Sequence, residues 1–194
     1  MFHNILDSYN KLLLDNLSGQ FLPGTSTAIL GPSGSGKTTL LNFLSARMRT
    51  SKTLALNGKL YINGVKEDSV KTMKHRFSYV MQEDIMYEDL SPYESLIATA
   101  KLAGIENPEE KTDEVIKMLG LEKCKNTRVG GDVIRGVSGG EKKRTSIALE
   151  LITDPSVLFL DEPTTGLDSK SALDVASVLK MLSENGRTII TTIH

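Results

Sequence analysis

An α/β fold, a parallel sheet core flanked by helices, follows from three features of the sequence. Short β-branched runs alternate with longer stretches that carry helix caps. The runs from Val157 to Leu160 and from Thr188 to Ile193 are apolar or threonine-filled on both faces, as strands covered on both sides must be. A glycine-rich turn separates the first such run from the first helical stretch. The 194 residues are enough for a sizeable core, burying roughly 70% of the unfolded surface.

The strands are expected at Thr25 to Leu30, Phe77 to Met81, Val157 to Leu160 and Thr188 to Ile193, with a weaker one across Leu54 to Ile62. Asn57-Gly58 and Asn63-Gly64 flank Lys59 to Ile62, which reads as a hairpin with tight turns in a small antiparallel β subdomain. A helix-forming stretch runs from Thr39 to Met48. Ser91-Pro92, an N-cap followed by proline at the first helical position, opens a helix to about Ala103. Asn107-Pro108 repeats the device for Glu109 to Leu119, with Gly120 as the C-cap. A further helix follows Ser138-Gly139-Gly140 to about Thr153, and another spans Ser169 to Ser183. The helices from about Pro92 therefore interrupt the core strands as an insertion.

Composition excludes several classes. With 39% hydrophobic, 24% charged and 5% aromatic residues, the chain is neither disordered nor a collagen-like or coiled-coil rod. Lys+Arg 23 against Asp+Glu 24 leaves a net charge of −1, so no basic field points to nucleic acid. A lone cysteine, Cys124, cannot close an internal disulfide and reads as a packing residue in a reducing, cytosolic setting. No apolar run approaches the ~18 residues of a membrane span, and the N-terminus carries no signal-peptide pattern. By itself the segment reads as soluble and intracellular, which leaves room for a membrane partner or a membrane domain outside it.

Gly31-Pro32-Ser33-Gly34-Ser35-Gly36-Lys37-Thr38 fits G-x-x-x-x-G-K-[ST] at every fixed position, between a strand and a helix. Glycines let successive backbone N–H groups turn toward phosphates, and the helix N-terminus adds positive potential. Lys37 would reach the β- and γ-phosphates and the Thr38 hydroxyl would ligate Mg²⁺; with Thr39 the stretch is a candidate nucleotide-binding loop. Val157 to Leu160 ends in Asp161-Glu162. A buried parallel strand delivers such carboxylates to its C-terminal edge, where ligands bind in open α/β sheets. Asp161 suits Mg²⁺ through water, and Glu162 suits a general base on the attacking water.

Val137-Ser138-Gly139-Gly140-Glu141-Lys142-Lys143-Arg144 narrows the class. Ser138 with Glu141 is a capping box, worth about 1 kcal/mol to a helix. Two glycines exceed what a cap needs, and they fit a backbone that must approach an anion at a helix start. With this motif the chain resembles the ATP-binding cassette (ABC) ATPases, whose signature has the same Ser-Gly-Gly-[Gln/Glu] core. The family's remaining motifs follow in order: Gln82 after its strand, Gly166-Leu167-Asp168 after the Asp161-Glu162 strand, and His194 at the end of the last. Arg135 to Glu141, Arg144 to Ser156, Leu160 to Ser169 and Phe2 to Ile5 are similar to the G subfamily, the White-type and multidrug or sterol half-transporters. Lys142 stands where that subfamily usually has Arg, and Leu90-Ser91-Pro92-Tyr93-Glu94 replaces its usual Leu-Thr-Val-x-Glu.

The resemblance implies a P-loop NTPase with a RecA-like core, an antiparallel β subdomain and a helical subdomain at about 92–150 that carries the signature. Residues 1–194 would be one ATPase domain, shortened at its C-terminal end. It implies ATP and Mg²⁺ as ligands, with Glu162, His194 and Gln82 catalytic and Thr38, Gln82 and Asp161 at the metal. Ser138, Gly139, Gly140, Glu141 and Asp168 would act on the nucleotide of a second cassette. Tyr9 is a candidate for stacking on adenine, beside its reading as a strand-packing tyrosine. The implied protein is a transporter coupling ATP-driven dimerisation to export of lipids, sterols or amphipathic compounds. Its transmembrane domain would belong to the same full-length chain, with this domain on the cytoplasmic side and no nucleic-acid partner. A soluble ABC ATPase acting on nucleic acid or the ribosome is a second reading, but the insertion lacks the heptads and the chain the basic arms that it needs. A non-catalytic regulatory cassette is a third, and the presence of Glu162, Ser138 and His194 together speaks against it.

Overall fold

The computed structural model describes residues 2–6, 12–48, 55–67, 76–131 and 134–194. Along the chain come β1 (Phe2–Leu6), β2 (Leu12–Asp15), β3 (Ser26–Leu30), α1 (Lys37–Leu44), β4 (Ala55–Gly58), β5 (Leu60–Ile62), β6 (Val65–Glu67) and β7 (Phe77–Val80). The helices α2 (Pro92–Leu102), α3 (Pro108–Met118) and α4 (Gly139–Leu151) follow, then β8 (Val157–Leu160), α5 (Ser169–Glu184) and β9 (Thr188–Ile193).

The core is a four-stranded sheet in the order β3-β9-β8-β7, parallel throughout. Alternate residues of its strands serve opposite faces. Leu158, Leu160 and Ile189 join α2 to α5 in one apolar cluster, while Tyr79, Phe159 and Ile190 meet Leu41 and Leu44 of α1 in another. The expected α/β class is therefore the observed one, and β8 and β9 are covered on both faces, whereas the edge strand β3 leaves Ser26, Ala28 and Leu30 exposed. Antiparallel strands stand apart from this core as β2-β1-β4 and as the β5-β6 hairpin.

Sequence signals placed β8 and β9 at their observed limits and the other core strands within a residue. Three strands, β1, β2 and β6, carry no signal in the sequence reading. Bulges interrupt the pairings of β1, and its partner β4 lies some fifty residues away, so no local alternation announces it. Asn63 and Gly64 both take positive φ, 50° and 79°, and close the two-residue turn between Ile62 and Val65. Asn57-Gly58 makes no such turn: both lie in β4, which pairs with β1. The stretch across Leu54 to Ile62 thus holds two short strands in different sheets, with Leu54 itself outside the described residues.

Helix α1 starts at Lys37 and stops at Leu44, four residues before the expected end at Met48. Ala46 takes φ 57°, and the amides of Ala46 and Arg47 donate to the carbonyls of Phe43 and Asn42, closing the helix in a left-handed turn. Ser91 and Glu94 form a complete capping box before α2, with Pro92 at the first position, so the unusual Leu90 to Glu94 sequence still builds a helix start. Asn107 precedes α3 without a side-chain cap. Cys124 is buried in the larger cluster, where burial pushes its thiol up to about 11, as a packing residue requires.

Gly140 shows how tightly α4 approaches α5. A Cβ there would lie 2.8 Å from both Cβ and Oγ of Ser171. Gly140→Ala should therefore destabilise the chain by about 1–3 kcal/mol through overpacking, although alanine is the better helix former. Urea unfolding would report it, and an unchanged midpoint would mean that Ser171 gives way without cost.

Candidate nucleotide-binding site

Strand β3 runs into the loop 31–36, whose shape depends on glycine at two points. Gly34 and Gly36 take φ 76° and 90°, and a Cβ on Gly36 would come within 2.9 Å of the Leu14 side chain. Gly36 caps α1 without a side chain, so the first amides of the helix face the loop. Lys37 is buried at 7% exposure. Its ammonium donates to the carbonyls of Gly31 (2.7 Å) and Pro32 (3.1 Å) and faces Glu162 Oε1 at 3.5 Å.

Strand β8 delivers Asp161, 5% exposed, and Glu162 to the same place. Asp161 accepts three hydroxyls: Thr38 at 3.2 Å and Thr192 at 2.7 Å on Oδ1, and Tyr79 at 3.3 Å on Oδ2. Burial first, then the Asp161 charge, pushes the Tyr79 phenol well above its ordinary range, so it stays a donor. Glu162 has φ 45°, a conformation costing a non-glycine residue roughly 1–2 kcal/mol. Its amide donates to Thr192 Oγ1 (2.9 Å), and its Oε2 accepts from Thr165 (3.1 Å) and Gln82 (3.3 Å). At the end of β9, His194 Nε2 and Ser33 Oγ lie 2.7 Å apart.

Beside these groups lies a cavity of about 390 Å³ lined by Leu13, Ser33, Gly34, Gly36, Lys37 to Thr39, Gln82 and Glu162. That volume is within the range of small-molecule sites, roughly 300–1,000 Å³. A cradle of backbone amides, a buried ammonium and a pair of hard oxygens on Thr38 and Asp161 fits a Mg²⁺-nucleotide. The sequence-predicted residues Gly31 to Thr39, Gln82, Asp161, Glu162 and His194 are thus brought together. Tyr9 lies outside the described residues.

Ser138, Gly139, Gly140, Glu141 and Asp168 form a separate group, and none of them lines this cavity. Ser138 and Glu141 complete their capping box: Glu141 Oε2 accepts from the Ser138 amide and hydroxyl, both at 2.8 Å. The Ser138 amide above all holds the Glu141 carboxyl below its usual range. Asp168 caps α5 through the amides of Lys170 and Ser171, and its Oδ2 accepts from the Ser171 hydroxyl at 2.6 Å. The close approach of Gly140 to Ser171 sets the two caps side by side, with Ser138, Gly139 and Asp168 exposed.

One side chain ties this group to the cavity. Lys143, 2% exposed, sends its ammonium from α4 to Asp84 Oδ1 (2.7 Å) and to the carbonyls of Gln82 (2.9 Å) and Met81 (3.4 Å). The sequence reading missed Lys143, Tyr79 and Thr192. A signal for the first existed, since Lys143 shares the spacing of Ile147 and Leu151 on the buried side of α4. Thr192 was likewise visible as a hydroxyl in a strand buried on both faces.

Fold and cavity together define a nucleotide-binding P-loop domain. A family model described as ABC transporter matches residues 14–165. The chain is 45% identical over 192 residues to ABC transporter G family member 14 of Arabidopsis thaliana, covering 96% of this chain and 29% of that protein. It is 47% identical over 189 residues to the broad substrate specificity ATP-binding cassette transporter ABCG2 of Bos taurus, covering 95% and 28%. The chain belongs to the ABC transporter family, as an ATP-binding module similar to that of G-subfamily members. It spans less than a third of the length of these relatives. Among the described residues no helix is long and apolar enough to cross a membrane.

The Lys143 contact makes a stability prediction. Removing one partner of a buried ion pair typically costs about 3–5 kcal/mol. Lys143→Met should lower the unfolding free energy by about 3 kcal/mol, and adding Asp84→Asn should recover part of the loss by removing the stranded charge. A double-mutant cycle from denaturant melts checks this, and strictly additive losses would show that the pair contributes nothing.

Proposed function

We propose that the cavity binds ATP with Mg²⁺ and that Glu162 is the general base of its hydrolysis. The observation that carries this reading is the position of the Glu162 carboxylate, which faces Lys37 and Gln82 at the mouth of the phosphate loop. The loop amides from Gly31 to Gly36 cradle the phosphates, and Lys37 pairs with the β- and γ-phosphates as a point charge. Thr38 and Asp161, with Gln82, are the residues that would hold Mg²⁺, Asp161 through water. When bound, the ion neutralises charge on the phosphate oxygens. Glu162 and Gln82 orient the attacking water, and His194 faces the γ-phosphate from the end of β9.

The signature residues Ser138 to Glu141, together with Asp168, act on the nucleotide of a second cassette. Support comes from the exposure of Ser138, Gly139 and Asp168 and from the group's separation from the chain's own cavity. A helix start built to meet an anion, with its own cavity already supplied by α1, needs a ligand from elsewhere. Two cassettes closing head to tail on ATP and parting after hydrolysis would move an attached transmembrane domain, with this module on the cytoplasmic side. Residues at about 92–150 would form the helical subdomain that transmits the motion. The bovine relative is named for broad substrate specificity, and lipids, sterols or other amphipathic compounds are the substrate class we assign to the whole protein.

Glu162→Gln in the full-length protein should keep ATP affinity and lose turnover by about 10²–10⁴-fold, the usual worth of a general base. Binding and phosphate release are measured on the same preparation; near-normal release would sink the role. Lys37→Ala and Ser138→Arg should each inactivate a homodimer, whereas mixing the two variants assembles one site that keeps both residues. Partial ATPase activity should return in doubly tagged heterodimers, given a control in which one intact site turns over. Absence of recovery in confirmed heterodimers would place Ser138 in cis or outside the chemistry.

A further inference from the structure

Strand β9 carries two consecutive buried threonines with different surroundings. Register sets Thr191 opposite Leu160, so Thr192 stands abreast of Asp161, one step beyond the end of β8. Side-chain alternation sends Thr192 to the side of Ile190, Phe159 and Tyr79, where α1 and the phosphate loop lie, and Thr191 to the other. Thr192 is fully buried. Its hydroxyl donates to Asp161 Oδ1 at 2.7 Å and accepts the Glu162 amide at 2.9 Å. Among the described residues Thr191 Oγ1 meets only the carbonyl of Thr192, at a weak 3.4 Å.

The two Thr192 bonds meet where positioning matters most. Asp161 can rotate about its side-chain torsions, and the shortest of its three hydroxyl contacts is the one from Thr192. Glu162 stands in a left-handed conformation that an ordinary strand end would not hold. Its amide points inward to one acceptor, and losing that acceptor leaves a buried donor unpaired. A hydroxyl can do both tasks because it carries one donor and two lone pairs. Valine offers neither, and serine offers both.

We propose that Thr192 is a positioning residue for hydrolysis: its one hydroxyl fixes the Asp161 carboxylate and the Glu162 backbone relative to each other. This rests on the roles proposed above for those carboxylates. Groups that orient metal-directed and catalytic side chains typically matter about 10- to 100-fold. The hydroxyl does not touch the phosphate loop, so nucleotide binding without metal does not depend on it.

The test compares Thr192→Val, Thr192→Ser and Thr191→Val in the full-length protein, with Glu162→Gln alongside. Thr192→Val should lower kcat by about 10- to 100-fold with the KM for ATP little changed. It should also raise the Mg²⁺ concentration needed for half-maximal binding of a non-hydrolysable ATP analogue, while analogue binding in EDTA stays as it was. Thr192→Ser should retain most turnover, and Thr191→Val should behave as the parent. Where the valine variant does not fold, Thr192→Ser against Thr192→Ala isolates the same hydroxyl. Wild-type turnover in Thr192→Val overturns the inference, and so does an equal loss in the serine variant, which would assign the effect to packing. Loss in Glu162→Gln with none in Thr192→Val rejects this inference alone. Normal turnover in Glu162→Gln rejects the catalytic reading beneath it.

Discussion

A carboxylate buried to 5% exposure has to be paired, and the way Asp161 is paired organises the molecule. Its three hydroxyl donors come from α1, β7 and β9, elements far apart in the chain. Each can reach it only if β8 lies between β7 and β9 and if α1 starts directly after the phosphate loop. The parallel order β3-β9-β8-β7 meets that condition, because it brings the carboxyl ends of all four strands to one edge. The polar demand of one side chain and the apolar demand of two sheet faces therefore select the same arrangement.

Around that carboxylate the site is held by its own residues. Lys37 donates to carbonyls of its own loop and faces Glu162, while Glu162 is gripped through its amide by Thr192 and through its carboxylate by Thr165 and Gln82. The left-handed backbone at Glu162 is over-determined by these contacts, which is how strain of a kcal/mol or two persists. Pre-set groups of this kind need little reorganisation when charge develops in a reaction, which favours electrostatic catalysis.

The signature glycines carry two demands at once. Gly140 has to be glycine for packing alone, since Ser171 occupies the space of any Cβ. Gly139 has Leu167 at an ordinary 3.4 Å and is exposed, so its own chain does not require a glycine there. Burial of Lys143 against the Gln82 loop then makes the signature helix and the cavity rim one mechanical piece. A displacement of α4 cannot leave Gln82 behind without stranding a buried charge.

Local patterns in the sequence were sufficient for the phosphate loop, the Asp161-Glu162 strand end, the N-cap of α2, the capping box of α4 and the limits of β8 and β9. Each of these is written in contiguous residues: fixed glycine spacing, a cap three residues before its partner, or an apolar run long enough to be a strand. What stayed hidden depends on partners distant in the chain. Strands β1 and β2 exist through pairings that bulges disguise, and α1 ends early because the chain turns left-handed at Ala46. The separation of Ser138 and Asp168 from the cavity, the clamp of Lys143 on the Gln82 loop and the choice of Thr192 over Thr191 were decided by tertiary structure alone. The two threonines are neighbours with the same chemistry, and only the register of β9 against β8 turns one of them toward the carboxylates.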